Sequence, residues 1–378
     1  MRRLGIAILA SLLAVLTLAL SLTACSSGAA PTPTTAAAPT KPPAAAPAAT
    51  KPAEATKAPT ATTAAPTKAA EPTKPAVGAS SAKPANYPTR ALQMVTPFAT
   101  GGPTDVYVRT LAKPMADIMG VAVNVVNMPG GENVIAVNKV LSEPADGYTI
   151  YAMGPDELMN TALKRYNYKD LTGLTMCQRD QSLFWVGAGS KFEGLKEVIA
   201  DAKANPGKQK WTGGVGIDEI IVPYFAKLAG MKVQYVPYAN SNEANAALAG
   251  GHFDVGHEEL GPMLSLFEAK KVRPIAVLTE ERLPKYKDIP TAREVGIDIT
   301  WGRWRGLAMK KGTPPEIIAY LEKVVYEALQ SPEYKELSAK TLTDQRPGYM
   351  GSAELNKLLD DDYPKMVAVM KEIGMVKE

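Results

Sequence analysis

The stretch that decides the fold runs Leu92-Gln93-Met94-Val95-Thr96-Pro97-Phe98-Ala99-Thr100-Gly101-Gly102-Pro103-Thr104-Asp105. The apolar residues 92–96 predict a buried β-strand, and residues 108–119 repeat apolar side chains at helical spacing. The glycines between them allow close approach of a ligand, and the following helix offers unpaired N–H groups with a partial positive charge. Such a turn can hold a carboxylate through backbone donors alone. An ordinary strand–helix turn, with Thr104 or Asp105 as the helix cap, explains the same residues.

The alternation of strands and helices continues to the end of the chain. Further strands are predicted at residues 121–126, 148–153, 184–188, 210–213, 233–237, 253–256 and 273–278. Further helices are predicted at residues 134–141, 195–204, 220–228, 244–248, 315–330, 332–340 and 353–373. This order predicts the α/β class: two lobes, each a mainly parallel sheet flanked by helices, with a cleft between the lobes. The chain should cross between the lobes more than once.

The first 25 residues have the parts of a secretory signal. Arg2 and Arg3 precede an uncharged apolar stretch, and Leu22-Thr23-Ala24-Cys25 at its end resembles the bacterial lipobox, in which the cysteine is acylated. We therefore predict a lipoprotein signal peptide over residues 1–25, with lipidation at Cys25. The alternative is a transmembrane helix over the same apolar stretch.

Residues 26–86 predict a disordered tether. They consist mainly of Ala, Pro, Thr and Lys, so they offer little apolar surface that could offset the entropy of folding. Frequent proline makes such a segment a semi-stiff spacer. The tether should hold the folded domain, residues 87–378, away from the membrane.

The charge distribution argues against a nucleic-acid binder. The first 86 residues carry eight basic and two acidic side chains, whereas residues 87–378 carry 34 basic and 36 acidic ones. The folded domain therefore lacks the basic footprint that nucleic acids require. The two cysteines, Cys25 and Cys177, exclude a disulfide scaffold and a cysteine-based zinc cluster.

Catalytic motifs are absent from the sequence. It contains neither a Gly-x-Ser-x-Gly elbow nor a His-Glu-x-x-His motif, and its two histidines, His252 and His257, are poorly spaced for a shared metal. The residues His257-Glu258-Glu259 follow a predicted strand, and they either line the cleft or form a solvated loop. Trp301 and Trp304 alternate with Arg303 and Arg305, and these residues either stack on or pair with a ligand or form a packing cluster between the lobes.

An ordered series of motifs carries a resemblance to a known family. The motifs are Tyr87-Pro88-x-Arg90, Pro97-Phe98-x-x-Gly101-Gly102-x-Thr104-Asp105, Asn127-x-Pro129-Gly130-Gly131, Pro144-x-Asp146-Gly147-Tyr148-Thr149, Pro206-Gly207-Lys208, Val236-Pro237-Tyr238, Gly250-Gly251-x-x-Asp254, Asp288-Ile289-Pro290-Thr291, Trp304-x-Gly306 and Gly312-Thr313-Pro314. The series covers essentially all of residues 87–378. It resembles the Bug family, the solute-binding receptors of tripartite tricarboxylate transporters.

The resemblance implies a two-lobed periplasmic-binding-protein fold that closes over a small organic acid, with no catalysis, cofactor or metal. Residues 87–188 and 303–378 should form the first lobe, and residues 189–302 the second. The predicted ligand-binding residues lie on loops that should border the cleft. They are Phe98, Ala99, Thr100, Gly101, Gly102, Asp105, Gly154, Asp156, Gly214, Gly216, Glu219, Ala239, Asn240, Ser241, Glu258 and Trp304.

Acidic residues depart from the family pattern. Asp156-Glu157 and Glu258-Glu259 stand where neutral residues or one aspartate are expected, and Ile217-Asp218-Glu219 stands where serine and histidine are common. Unpaired carboxylates in a cleft repel a tricarboxylate. The hypothesis is either a ligand with one carboxylate and a cationic or hydrogen-bond-donating end, or carboxylates that point away from the cleft.

The sequence thus predicts a monomeric, extracytoplasmic receptor, lipid-anchored to a bacterial membrane in the periplasm or at the cell surface. It should pass a small carboxylate ligand to membrane transporter subunits. One alternative is a ligand-sensing lipoprotein that serves a signalling partner. Another is an extracytoplasmic hydrolase, which the missing nucleophile–base pairs disfavour.

Overall fold

The structure, a computed structural model, describes residues 83–346 and 348–377. The predicted signal peptide, its lipidation site Cys25 and residues 26–82 of the predicted tether lie outside the described residues. In the part of the chain that the structure describes, no helix is both long and apolar enough to cross a membrane.

The described residues form strands and helices in alternation. The strands are β1 (Leu92–Thr96), β2 (Val123–Asn127), β3 (Thr149–Met153), β4 (Leu171–Arg179), β5 (Ser182–Gly187), β6 (Lys210–Gly214), β7 (Gln234–Tyr238), β8 (Val255–Glu259), β9 (Val272–Val277) and β10 (Trp304–Lys310). The α-helices are α1 (Pro103–Met119), α2 (Val134–Ser142), α3 (Asp156–Ala162), α4 (Leu195–Ala204), α5 (Asp218–Leu228), α6 (Ser241–Ala249), α7 (Leu260–Glu268), α8 (Pro315–Ala328), α9 (Pro332–Thr341) and α10 (Ser352–Glu372).

The first sheet has the strand order β2-β1-β3-β10-β4. Strand β1 pairs in parallel with β2 and β3, in the register Leu92–Val123 and Gln93–Thr149. Strand β10 runs antiparallel between β3 and β4. Parallel neighbours need a crossover, which helices α1 and α2 supply. The loops after β1 and β3 therefore lie at the same edge of this sheet.

The second sheet has the strand order β7-β6-β8-β5-β9. Strand β6 pairs in parallel with β7 and β8, while β5 runs antiparallel between β8 and β9. The chain enters this sheet after Asp180-Gln181 and returns to the first sheet through residues 278–303. The predicted two-lobed α/β fold is confirmed. In each sheet four strands run in the same direction, and one strand, β10 in the first sheet and β5 in the second, runs antiparallel to its neighbours.

The predicted lobe boundary at residue 188 is wrong. Strand β5 belongs to the second sheet, where Phe184 is in register with His257 of β8 and Ala276 of β9. The sequence pattern also missed β4 and β10, and the helices α3 and α7. Strand β10 carries Arg305 in a buried position, and local hydrophobicity does not predict a strand with a charged interior residue. Its partners in β3 and β4 are distant in the sequence.

Apolar faces of the helices pack on the sheets and form the cores. Helix α1 buries Tyr107, Leu111 and Met115 against the first sheet, at the positions that helical spacing puts on one face. In the second lobe, Phe184 lies 4.6 Å from the ring of Phe225, centroid to centroid, and both side chains are fully buried. Burial of each such side chain stabilises the fold by ~2–3 kcal/mol. These cores hold the loops at the sheet edges in place.

Candidate functional site

The glycine loop between β1 and α1 ends in a helix start without a side-chain cap. Gly101 adopts a φ of 80°, a left-handed conformation that favours glycine, and Gly102 is the N-cap residue of α1. Pro103 at the first helical position has no N–H, and the next N–H groups have no partner within the helix. The start of α1 is therefore suited to an anion.

Asp105 holds this loop in place. Its carboxylate accepts hydrogen bonds from the Gly101 N–H at 2.9 Å, from Arg109 Nε at 2.9 Å and from Asn127 Nδ2 at 2.7 Å. Burial alone would raise the pKa of Asp105, but these bonds lower it below its usual range. Asn127 Nδ2 also donates to the Phe98 carbonyl at 3.0 Å. The predicted binding residue Asp105 is thus engaged in shaping the loop.

A pocket of about 210 Å³ opens beside the start of α1, between the lobes. Its lining comes from the glycine loop and α1, from the strands that connect the lobes, and from the second lobe and α9. These residues are Gly101, Pro103, Val106, Tyr107, Gln178, Asp180, Asn242, Gly261, Pro262, Arg305, Leu337 and Thr341. Of the residues predicted from sequence, Gly101 lines this pocket. The lining combines apolar surface with a few polar groups, which is typical of a small-molecule site.

Arg305 is the cationic residue that lines the pocket, and the sequence singled it out only as part of the run of tryptophans and arginines at residues 301–305. Its side chain is 5% exposed, forms an ion pair with Asp180 and lies 3.6 Å from Glu259 Oε2. Its Nε donates to Thr104 Oγ1 at 3.3 Å, which links it to the first turn of α1. Burial raises the pKa of Asp180 to about 6, although the neighbouring Arg305 opposes that rise.

Arg303 forms ion pairs with residues of both lobes. Its guanidinium contacts three buried carboxylates, one on the first lobe and two on the second. These are Asp156 Oδ2 at 3.1 Å, Asp218 Oδ1 at 3.2 Å and Glu259 Oε1 at 2.9 Å. Together they hold the pKa of Arg303 well above its usual range, against the effect of burial. The sequence signal for this group was the alternation of tryptophan and arginine at residues 301–305.

Strand β8 extends through Glu259, so His257, Glu258 and Glu259 are buried in a strand and do not form a solvated loop. Burial and the neighbouring Glu259 raise the pKa of Glu258 well above its usual range. For Glu259, burial would raise the pKa, but Arg303 and Arg305 lower it to about 2. His257 Nδ1 lies 3.4 Å from Asp218 Oδ1.

The acidic residues that depart from the family pattern are therefore largely engaged within the protein. Glu157 accepts hydrogen bonds from Tyr151 and Tyr166, and burial raises its pKa to about 8. Glu258 Oε2 accepts from Asn245 Nδ2 at 3.2 Å. This arrangement favours the explanation in which the carboxylates do not face a ligand. In the described residues, no group of His, Cys, Asp and Glu side chains has the arrangement of a metal site.

The second-lobe loop after β6 has fewer free donors than its glycines suggest. The N–H groups of Gly214 and Gly216 are bound to the carboxylates of Asp218 and Glu219, at 2.8 and 2.9 Å. The prediction that Gly214, Gly216 and Glu219 contact a ligand stays a prediction.

The remaining predicted residues have different surroundings in the structure. Asn240 caps helix α6 by accepting from the Asn242 N–H at 3.0 Å, and its neighbours Ala239 and Ser241 are exposed and half-buried. Trp304 is half-buried and packs against buried apolar side chains of the core, and its carbonyl lies close to Gly154. Ala99 and Thr100 are exposed, so both can reach a ligand from the glycine loop. Their contact with a ligand likewise stays a prediction.

Three comparisons with known proteins agree on one family. A family model described as "Tripartite tricarboxylate transporter family receptor" matches residues 107–375. Protein BugT of Bordetella pertussis is 28% identical over 297 residues, which cover 76% of this chain and 90% of BugT. The solved structure of the periplasmic binding protein BugD is 24% identical, with a TM-score of 0.68, and the match covers 77% of this chain and 100% of BugD. The solved structure of R. palustris Rpa4515 with adipate is 25% identical, with a TM-score of 0.69, over 76% of this chain and 99% of that one.

Proposed function

Because the chain belongs to the tripartite tricarboxylate transporter receptor family, we propose that it captures a small organic carboxylate between its lobes and delivers it to membrane transporter subunits. Rpa4515, a solved relative, contains adipate, which supports organic acids as the ligand class. The proposal requires binding without chemistry, so the ligand should leave the protein unchanged.

The observation that carries the proposal is the pocket beside the start of α1. The unpaired N–H groups of the first turn act on an anion at short range, and their partial positive charge favours a carboxylate. Arg305, which lies beside Thr104 and is paired with Asp180, lines the same pocket, and Asn242 adds an amide from the second lobe. A ligand between these groups contacts both lobes, so it binds the closed arrangement more tightly than an open one.

Isothermal titration calorimetry of residues 83–378 against a panel of linear carboxylates tests the proposal, with native mass spectrometry of the purified protein to identify a co-purified ligand. We expect at least one carboxylate to bind and to be recovered unchanged. Hydrolysis or another conversion of the bound molecule would contradict a receptor function.

The variant Asn242→Asp tests the location of the site. It adds a carboxylate to the pocket with almost no change of shape, and like charges at short range should weaken carboxylate binding by about tenfold. Asn205→Asp at the exposed end of α4 makes the same change of charge outside the pocket and serves as the control. Equal affinities of the two variants would place the ligand elsewhere.

We also propose that Cys25 carries a lipid anchor and that residues 26–86 form the tether to it. Acyl chains stabilise membrane attachment by about 0.8 kcal/mol for each buried CH₂ group, so several chains hold a protein at a bilayer. Metabolic labelling of the full chain with a radioactive fatty acid in bacteria should label the wild type and not Cys25→Ser. Label on the Cys25→Ser variant, or its absence from the wild type, would contradict the anchor.

A further inference from the structure

Three backbone N–H groups between the end of β6 and the start of α5 are each bound to a carboxylate of the chain itself. The pairs are Gly214 with Asp218 Oδ2 at 2.8 Å, Gly216 with Glu219 Oε2 at 2.9 Å and Ile217 with Asp156 Oδ1 at 2.8 Å. The first two carboxylates belong to α5, but Asp156 belongs to α3 of the opposite lobe. The start of α5 is therefore an anion site, and a side chain from across the cleft fills part of it.

The chain is shaped for this contact. Gly216 has a φ of 86°, and a Cβ at that position would overlap with Asp156 Oδ1. The other oxygen, Asp156 Oδ2, lies 3.1 Å from Arg303 Nη1, and the side chain is 6% exposed. Each carboxylate oxygen of Asp156 thus has a donor from elsewhere in the fold, as a bound carboxylate ligand would.

We propose that Asp156 occupies the second-lobe anion site from within the chain, so that the receptor selects ligands with one carboxylate, which binds at the start of α1. This inference rests on the proposed function and specifies the ligand class. A second ligand carboxylate has no site of its own, because the donors that would receive it already hold Asp156.

The charges beside the pocket act in the same direction. Arg303 is surrounded by Asp156, Asp218 and Glu259, and Arg305 is paired with Asp180 and lies near Glu259. Neither guanidinium is free to neutralise a second carboxylate. The carboxylate of Asp180 lines the pocket itself, so a ligand with two carboxylates meets more repulsion there than a ligand with one.

The first experiment compares carboxylates that differ by one end group. Calorimetry of the wild type against butyrate and succinate, and against hexanoate and adipate, should show the monocarboxylate of each pair binding at least ~10-fold more tightly. Tighter binding of the dicarboxylates would overturn the inference and leave the proposed function intact. Failure of every carboxylate to bind, with none co-purified, would contradict the proposed function and, with it, the inference.

The second experiment empties the site. Asp156→Ala frees the Ile217 N–H and Arg303 Nη1, so acetate should bind there as a second site and raise the melting temperature of the variant by more than it raises that of the wild type. The preference for hexanoate over adipate should also fall by at least ~10-fold, since the freed donors can receive a second carboxylate. Absence of both effects would overturn the inference.

Two further variants separate the effect of a side chain that fills the site from the effect of the negative charge of Asp156. Asp156→Asn removes the charge but keeps an oxygen that can accept from the Ile217 N–H, so acetate should stabilise it no more than it stabilises the wild type. Glu157→Gln changes the adjacent buried acid, which bonds to Tyr151 and Tyr166 and not to α5, so acetate should raise its melting temperature as much as that of the wild type. If Asp156→Asn responds to acetate as strongly as Asp156→Ala, charge alone explains the effect and the occupancy argument is wrong.

Discussion

Replacement of Glu259 by glutamine should destabilise the folded protein by ~3 kcal/mol at pH 7. Burial alone would raise the pKa of this carboxyl, but the guanidiniums of Arg303 and Arg305 lower it from the ordinary 4.5 to about 2. At about 1.4 kcal/mol for each pKa unit, the folded state stabilises the ionised carboxylate by ~3 kcal/mol. A neutral amide loses this stabilisation.

The same pKa values set the pH dependence of the effect. The folded-state pKa of Glu259 lies below its unfolded-state value, so its contribution is complete above about pH 4.5 and is lost as the pH falls through about 2. Urea unfolding of the wild type and Glu259→Gln should therefore differ by ~3 kcal/mol at pH 7 and by ~1.4 kcal/mol at pH 3.

The neighbouring residue, Glu258, provides a control because its pKa is shifted in the opposite direction. The folded-state pKa of Glu258 is raised well above its usual range, so the wild type loses stability as the pH rises above the unfolded-state value. Glu258→Gln removes that loss and should be at least as stable as the wild type at pH 7. Two results would refute the conclusion that Arg303 and Arg305 lower the pKa of Glu259. One is a loss of unfolding free energy below about 1 kcal/mol for Glu259→Gln at pH 7, and the other is equal destabilisation by the two variants.

Three further substitutions test the packing and the buried acids, each by urea unfolding. Gly216→Ala should cost ~1–2 kcal/mol or more, because its φ is 86° and a Cβ would overlap with Asp156; an unchanged midpoint would contradict that close approach. Phe225→Ala should cost ~3–5 kcal/mol, and an equal cost at Leu228, which is 41% exposed, would contradict its place in the core. The pKa of Glu157 is raised to about 8, so this residue lowers the free energy of unfolding as the pH rises from about 4.5 to 8. Glu157→Gln should therefore gain stability relative to the wild type over that interval, and parallel pH profiles of the two proteins would contradict the raised pKa.

Local patterns in the sequence were sufficient for most elements. The strand Leu92–Thr96 and the helix Leu195–Ala204 have the predicted bounds, because an apolar run and a helical repeat are visible within a few residues. The glycine loop before α1 was predicted for the same reason, since Gly101 and Gly102 follow a strand directly. The two lobes followed from the repeated order of strands and helices.

The candidate site was predicted only in part. The residues 156–157 and 258–259 were recognised as unusual acids, but their partners were not identified. Arg303 and Arg305 pair with carboxylates that lie far away in the sequence, on α3, on α5, on β8 and between β4 and β5. Such pairing depends on which loops meet at a sheet edge. The sequence of one chain does not show which distant residues come together there.

By itself, the sequence determined the α/β class, the two lobes and the glycine loop at the start of α1, because these depend on the order of apolar and glycine residues along the chain. Only the tertiary structure decided how the acidic residues are used. Asp156 reaches the start of α5 because the lobes bring the ends of β3 and β6 together. Glu259 stays ionised because Arg303, just before β10, and Arg305 within β10 lie beside it. The charge of a buried group depends on its neighbours in space, and in this protein those neighbours come from opposite lobes.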